Sequence, residues 1–167
     1  ISIQGNYIGV AANGSSLLGN GGAGVYIAAS NVTVGGKNAG EGNLIAGNTG
    51  AGIAVASGNH NYFYRNSIHS NGGLGIDLGN DGVTANDYND GDGGANYSNN
   101  FPVISSVVTI GSTTYITGSI EWYTDVQPVY IEFFSSPTAD ASGHGEGRTY
   151  LGAVQVTVNA SGDATFS

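Results

Sequence analysis

Apolar residues recur along the first eighty positions in short alternating pairs, set off by glycine or asparagine. Val25 and Ile27 flank Tyr26, Ile53 and Val55 flank Ala54, and Ile76 and Leu78 flank Asp77. Alternation with a period of two predicts short strands with one face turned inward. Each pair follows a glycine phrase: Gly22-Ala23-Gly24, Gly50-Ala51-Gly52 and Gly73-Leu74-Gly75. A second phrase runs between them as Gly5-Asn6-Tyr7-Ile8, Gly42-Asn43-Leu44-Ile45 and Arg65-Asn66-Ser67-Ile68. Gly24 and Gly52 are 28 residues apart, Gly52 and Gly75 are 23 apart, and so are Asn43 and Asn66. Self-similarity at this period predicts a solenoid. A coil of that length holds three short strands. Stacking like on like predicts four apolar columns: Val25–Ile53–Ile76, Ile27–Val55–Leu78, Ile3–Val34–Phe63 and Ile8–Ile45–Ile68. Asn6, Asn43 and Asn66 each stand two residues before the inward Ile of the third strand. An amide there can hydrogen-bond its stacked neighbours, as in amide ladders of cross-β stacks. The extra residues, Val10 to Gly21 and Gly35 to Gly42, are expected as loops at corners.

The pattern changes near Asn99–Pro102, where Thr, Val and Tyr replace Gly and Asn. Candidate strands run over Val103–Val108, Thr114–Ile120, Pro128–Ser135, Tyr150–Val158 and Ala164–Phe166. Gly111-Ser112 and Asn159 to Asp163 supply turn chemistry. Short strands of this kind predict a small antiparallel sandwich. Trp122, Tyr123, Phe133, Phe134 and Tyr150 are its expected core. The chain is therefore expected to be all-β: a right-handed parallel β-helix of about three coils over residues 1–80, an acidic Gly/Asn-rich linker over 81–100, and an incomplete, truncated immunoglobulin-like β-sandwich over 101–167. The chain opens inside a repeat and stops on a strand, so it reads as a piece of something longer. Its open strand edges invite pairing with neighbouring copies.

Composition narrows the partners. Of 167 residues, 30 are glycine and only 9% are charged, with a formal charge of −9. Lys37, Arg65 and Arg148 are the whole Lys/Arg complement, too few for a phosphate-tracking stripe, so nucleic acid is an unfavoured partner. No apolar stretch approaches the roughly 20 residues that span a bilayer, which argues against membrane insertion. Cysteine is absent, which removes disulfides and thiolate metal sites.

Gly42-Asn43-Leu44-Ile45-Ala46-Gly47-Asn48, the run Gly73 to Asp87, Asn100-Phe101-Pro102-Val103, and Ile131-Glu132-Phe133-Phe134 leading to Gly145-Glu146-Gly147 together carry a resemblance. Across nearly the whole chain, the sequence resembles bacterial secreted parallel β-helix repeat proteins with a C-terminal immunoglobulin-like module. The resemblance implies a secreted or cell-surface location and a non-catalytic structural or adhesive role. It also raises an alternative, a polysaccharide lyase or glycoside hydrolase fragment, or a glycan-binding module.

Candidate chemistry follows from three groups. Asp77, Asp81, Asp87, Asp90 and Asp92, interleaved with asparagines, offer hard oxygen ligands for calcium, although their spacing is not that of an EF-hand and the plainer reading is a solvated acidic linker. No cofactor is otherwise required. His69, Arg65 and Asp77 are the catalytic alternative, a histidine base with a cation and a carboxylate, set against the plain reading of residues on solvated corners. Tyr26, Tyr62 and Tyr64 fall at outward positions and are the ligand-binding candidates, because tyrosine stacks on sugars with an amphipathic body. Against that stands the preference of tyrosine for strands in general. The expected partners are polysaccharide or further copies of this chain.

Overall fold

A computed structural model describes residues 1–123 and 128–167. Its contacts divide the chain into two units. The first comprises Ile1–Thr84, Gly94–Asn96 and Glu132–Gly152, and the second Ala85–Gly93, Tyr97–Ile131 and Ala153–Ser167.

In the first unit, the repeat phrases become strands β1 (Ser2–Ile3), β2 (Tyr7–Ile8), β3 (Val25–Ala28), β4 (Thr33–Gly35), β5 (Leu44–Ala46), β6 (Ile53–Ser57), β7 (Tyr62–Tyr64), β8 (Ser67–His69) and β9 (Ile76–Leu78). Every third strand joins the same sheet. The orders are β1-β4-β7, β2-β5-β8 and β3-β6-β9, and all pairings are parallel. The register matches the expected columns. Val25 pairs with Ile53 and Ile53 with Ile76, while Ile27 pairs with Val55 and Val55 with Leu78. Ile3, Val34 and Phe63 align, as do Ile8, Ile45 and Ile68. Side chains from all three sheets meet in one cluster containing Val25, Val34, Ile45, Ile53, Val55 and Ile68. The column end Ile76 stays 40% exposed.

The repeated glycine before each inward pair has a packing cause. A Cβ on Gly24 would stand 2.6 Å from the Ile45 Cγ2 methyl and 2.7 Å from the Gly52 carbonyl. The same atom on Gly52 would strike the Ile68 Cγ2 methyl. A side chain at either position would drive apart two of the three sheets. The corners also have a conformational rule. The residue before a corner asparagine is left-handed at Gly5 (φ 64°) and Gly47 (φ 75°), and equally at His60 (φ 59°), Arg65 (φ 53°) and Ser70 (φ 58°). Three non-glycine residues hold a conformation that normally favours glycine.

The second unit has its own antiparallel sheet of β10 (Val103–Ile110), β11 (Thr113–Glu121) and β14 (Asp163–Phe166), in that order. Of the two-stranded sheet that pairs β12 (Val129–Ser135) with β13 (Thr149–Val156), Val129–Ile131 and Ala153–Val156 belong to this unit. Among its described residues, the buried apolar side chains of this unit are Ile120, Val129, Ile131, Val156, Val158, Ala164 and Phe166. The aromatic core expected from sequence is corrected here. Tyr123 is exposed, and Phe133, Phe134 and Tyr150 belong to the first unit. Aliphatic residues with Phe166 fill the small core instead, since none of them brings a polar atom that must be satisfied.

The units follow contacts rather than chain order. Residues 132–152, expected inside a separate sandwich, join the repeats because they hydrogen-bond to the last of them. The stretch 81–100, expected as one linker, is shared between the units and contains two short 3-10 helices, Tyr88–Asp90 and Ala95–Ser98.

The packing gives a direct test. Gly52→Ala is expected to cost about 1–3 kcal/mol by overpacking, and Ile53→Ala about 2–5 kcal/mol by cavity formation. Both are read as a lowered denaturant midpoint. An unchanged midpoint for Gly52→Ala would contradict the close approach to Ile68.

Candidate functional site

The polar interior of the first unit is built from amides. The Asn6 backbone N–H and Nδ2 both donate to Asn43 Oδ1, at 2.9 and 3.0 Å. Asn43 repeats the pattern onto Asn66 Oδ1, at 3.0 and 2.9 Å. A second ladder escaped the sequence reading. Asn20 donates to Asn48 Oδ1, and Asn48 donates to Asn71 Oδ1, each through its backbone N–H and its Nδ2. Its signal was present, because Asn20, Asn48 and Asn71 are spaced by 28 and 23 residues like the glycines. At a third corner the Val32 N–H donates to Asn61 Oδ1 and the Asn61 N–H to Asn96 Oδ1. Asn43, Asn48, Asn61 and Asn66 are buried, where an unpaired amide or backbone N–H costs about 1–3 kcal/mol.

Residues from outside the repeats end two of these rows, and another takes the backbone N–H beside the third. The Asn71 N–H and Nδ2 both donate to Glu146 Oε1, at 3.0 and 2.7 Å. The Arg65 N–H donates to Glu132 Oε2 at 2.8 Å. Asn96 supplies the last acceptor at the third corner, and its own N–H donates to the Gly58 carbonyl. The exposed side of β8 is covered too: the Ile68 N–H donates to the Gly147 carbonyl at 2.9 Å and Ser67 Oγ to the Arg148 carbonyl at 2.6 Å. An inner rung must both accept and donate, so it is an amide. The last rung need only accept, and a carboxylate does that best. No spacing rule links Glu132 or Glu146 to the repeats, so sequence reading could not have found this cap.

The catalytic candidates are placed apart in their bonding. Arg65 forms a left-handed corner; its guanidinium lies 4.4 Å from the Tyr150 ring centroid and donates through Nη1 to the Lys37 carbonyl at 2.8 Å. Asp77 is buried, and its Oδ1 accepts from the Asp81 and Gly82 N–H groups at 3.2 and 3.3 Å. It lines an open cleft of about 480 Å³ with Leu74, Val83 and Asp140. His69 lines a different cleft, of about 290 Å³, with Ser70, Ser136, Thr138 and Arg148. Asn71, Asp140 and Ala141 line both. Burial and then the charge of Arg148 hold the His69 imidazole below its usual range, partly offset by Glu146. Its Nδ1 stands 3.1 Å from Ser70 Oγ.

Two of the three candidate tyrosines come together. Tyr62 and Tyr64 have parallel rings, 4° between planes and 6.2 Å between centroids. The Lys37 ammonium stands 5.0 Å from the Tyr64 centroid. Tyr26 lies on another sheet, in register with Ala54 and then Asp77. Tyr150, missed as a surface residue, packs edge-to-face on Phe134 at 5.6 Å and carries Arg65 on its ring.

The five candidate calcium ligands divide between the units: Asp77 and Asp81 in the first, Asp87, Asp90 and Asp92 in the second. In the second unit Asp90 is buried and accepts from the Asn100 N–H at 2.6 Å and from Asn99 Nδ2 at 3.1 Å. Asp87 accepts from the Gly91 N–H, and Asn100 Oδ1 accepts from the Asp87 N–H. Desolvation, then the charges of Asp87 and Asp90, raise the Asp92 carboxyl above its usual range. Among the described residues, no group of three or more His, Asp or Glu side chains is arranged to hold a metal ion. The hydrogen bonds give these aspartates a loop-fixing role.

No family model matches this chain, and neither does any curated protein or solved structure.

Two outcomes test the cap. Glu146→Ala is expected to lose about 1–3 kcal/mol by orphaning two donors of Asn71, whereas Glu146→Gln, which keeps an acceptor, stays close to wild type. Equal losses for the two would refute the acceptor role. Glu132 responds to pH. Burial pushes its carboxyl up, against the Arg65 N–H and the charges of Arg65 and Lys37. Stability linked to it is therefore full below the ordinary carboxyl range and falls as pH rises through the raised folded value. Glu132→Gln is expected to melt above wild type at pH 7, with the gap closing toward pH 4. A gap that widens on acidification would reverse the sign.

Proposed function

We propose that the three parallel sheets form a short right-handed parallel β-helix, that the other unit is a small antiparallel β-sandwich, and that the chain is a non-catalytic structural or adhesive module of an extracellular bacterial surface protein. Strands returning to the same sheet at every third element, with ladders of like residues through the interior, support the first part. The observation that carries the functional part is the use already made of the polar groups. Arg65 holds a corner and stacks on Tyr150, Asp77 anchors the Asp81–Gly82 turn, and Glu146 ends an amide ladder. A general base must reach its proton with an orienting partner beside it. His69 has Ser70 within reach, but the oxygen of Glu146 is spent on Asn71.

Self-association has its own support. β10 is an outer strand of its sheet, and its eight residues are all exposed, among them Val103, Ile104, Val107, Val108 and Ile110. An apolar strand edge of this kind templates pairing with another chain. At β8 and its flanking corners, by contrast, the cap already occupies the Arg65, Ile68 and Asn71 N–H groups that a stacked copy would use.

Incubation with pectin and alginate, with calcium and with chelator, is expected to release no new reducing ends or unsaturated products. Turnover lost on His69→Ala would replace this reading with the enzyme alternative. Light scattering is expected to show association that rises with concentration and weakens in Val107→Lys. A strict monomer at high concentration would remove the self-association part.

A further inference from the structure

Asparagine followed by glycine occurs three times, at Asn13-Gly14, Asn20-Gly21 and Asn71-Gly72. The pair has a chemistry of its own. The glycine nitrogen can close a five-membered ring onto the asparagine Cγ, and no side chain on the second residue hinders its approach. The folded chain treats the three glycine N–H groups differently. The Gly14 N–H donates to the Ala11 carbonyl at 2.9 Å, and the Gly72 N–H to the Asn48 carbonyl at 2.8 Å. Among the described residues, nothing accepts from the Gly21 N–H.

The amide ladder gives the reason. Thr49, next after Asn48, donates its N–H to the Asn20 carbonyl at 3.0 Å, just as Gly72, next after Asn71, donates to the Asn48 carbonyl. Each N–H that follows an inner or last asparagine of this row is held by the rung before it. Asn20 is the first rung, so Gly21 has no such acceptor. Asn20, Gly21 and Gly22 are all exposed, and a Cβ placed on Gly21 would meet no atom within 4 Å. The Asn13 side chain is tied down as well: its Oδ1 accepts from the Ser15 and Ser16 N–H groups at 3.0 Å, and its Nδ2 donates to Ser16 Oγ at 2.9 Å. Asn20 makes one side-chain bond among the described residues, from Nδ2 to Asn48 Oδ1 at 2.8 Å.

We propose that Asn20–Gly21 is a site of spontaneous covalent modification, at which the asparagine loses its amide while Asn13 and Asn71 keep theirs. The Gly21 nitrogen attacks Asn20 Cγ, and the new C–N bond closes a succinimide ring. The Cγ–Nδ2 bond breaks, and Nδ2 leaves as ammonia with the proton that the Gly21 nitrogen gives up. Water then opens the ring at either carbonyl, leaving aspartate or isoaspartate at residue 20. The product bears on the fold, because Nδ2 is the side-chain donor of the first rung. A carboxylate oxygen in its place sets an anion against the Asn48 Oδ1 that Nδ2 had bonded, and the rung opens. Asn48 and Asn71 stay paired, so the change is confined to the first rung and the loop over residues 10–21 that ends there.

Peptide mapping tests the site, on the whole folded chain incubated at mildly alkaline pH in water that carries a heavy oxygen isotope. Residue 20 is expected to take up label roughly tenfold faster than residues 13 and 71, the factor that one retained backbone hydrogen bond sets on a rate. In denaturant the three pairs are expected to convert at similar rates, since each has the same glycine neighbour. Gly21→Ala, for which there is room, is expected to slow conversion at residue 20 severalfold with the melting temperature preserved. Asn20→Asp, which makes one product directly, is expected to melt below wild type. Equal rates at the three pairs in the folded chain, faster conversion at residue 13 or 71, or an intact residue 20 under conditions that convert the denatured chain would each overturn the assignment. So would a Gly21→Ala chain that converts as fast as wild type. An Asn20→Asp chain that melts with wild type would overturn the opening of the rung.

Discussion

The fold depends on a single constraint: backbone N–H groups at the corners point along the stack, where water does not reach. Each needs an acceptor from the next repeat. An asparagine meets the need twice over, because its Oδ1 accepts from the rung before and its Nδ2 donates to the rung after. Asn43 and Asn48 do so with hardly any exposure. The ladders also fix register. A slip of one residue would turn the aliphatic columns outward and take every amide off its partner. Apolar columns and amide rows therefore enforce the same alignment, and agreement between levels of this kind specifies a single structure.

A ladder that transmits a hydrogen bond must also end it. The terminal acceptors come from distant parts of the chain: Asn96 and Glu146, with Glu132 taking the Arg65 N–H beside the third row. The two glutamates bring their hairpin with them, and that hairpin places Arg148 and Tyr150 on the same unit as Arg65, Lys37, Tyr62 and Tyr64. The demand for acceptors at the last repeat thus brings Tyr150 against the Arg65 guanidinium.

Much of the first unit was legible in the sequence. The four columns and the Asn6–Asn43–Asn66 ladder follow from like residues recurring at a fixed spacing, and parallel pairing of repeats converts spacing into contact. The Asn20–Asn48–Asn71 ladder was equally available from its intervals. Tyr62 and Tyr64 could be paired because they lie two apart on one strand. Tyr26 could not be separated from them by pattern alone, since which sheet a strand joins is not a property of that strand.

The sequence by itself determined the repeating strands, the inward aliphatic faces and the amide rows, because those are relations between residues at regular intervals along the chain. Only the tertiary structure decided that Glu146 and Asn96 end two of the rows, that Glu132 takes the Arg65 N–H, that Tyr150 lies beneath Arg65, and that the aspartates from Asp77 to Asp92 divide between two units. These contacts join residues with no periodic relation. Their existence depends on where a hairpin lands after the repeats are built, and the chain is drawn there by buried donors that still lack a partner.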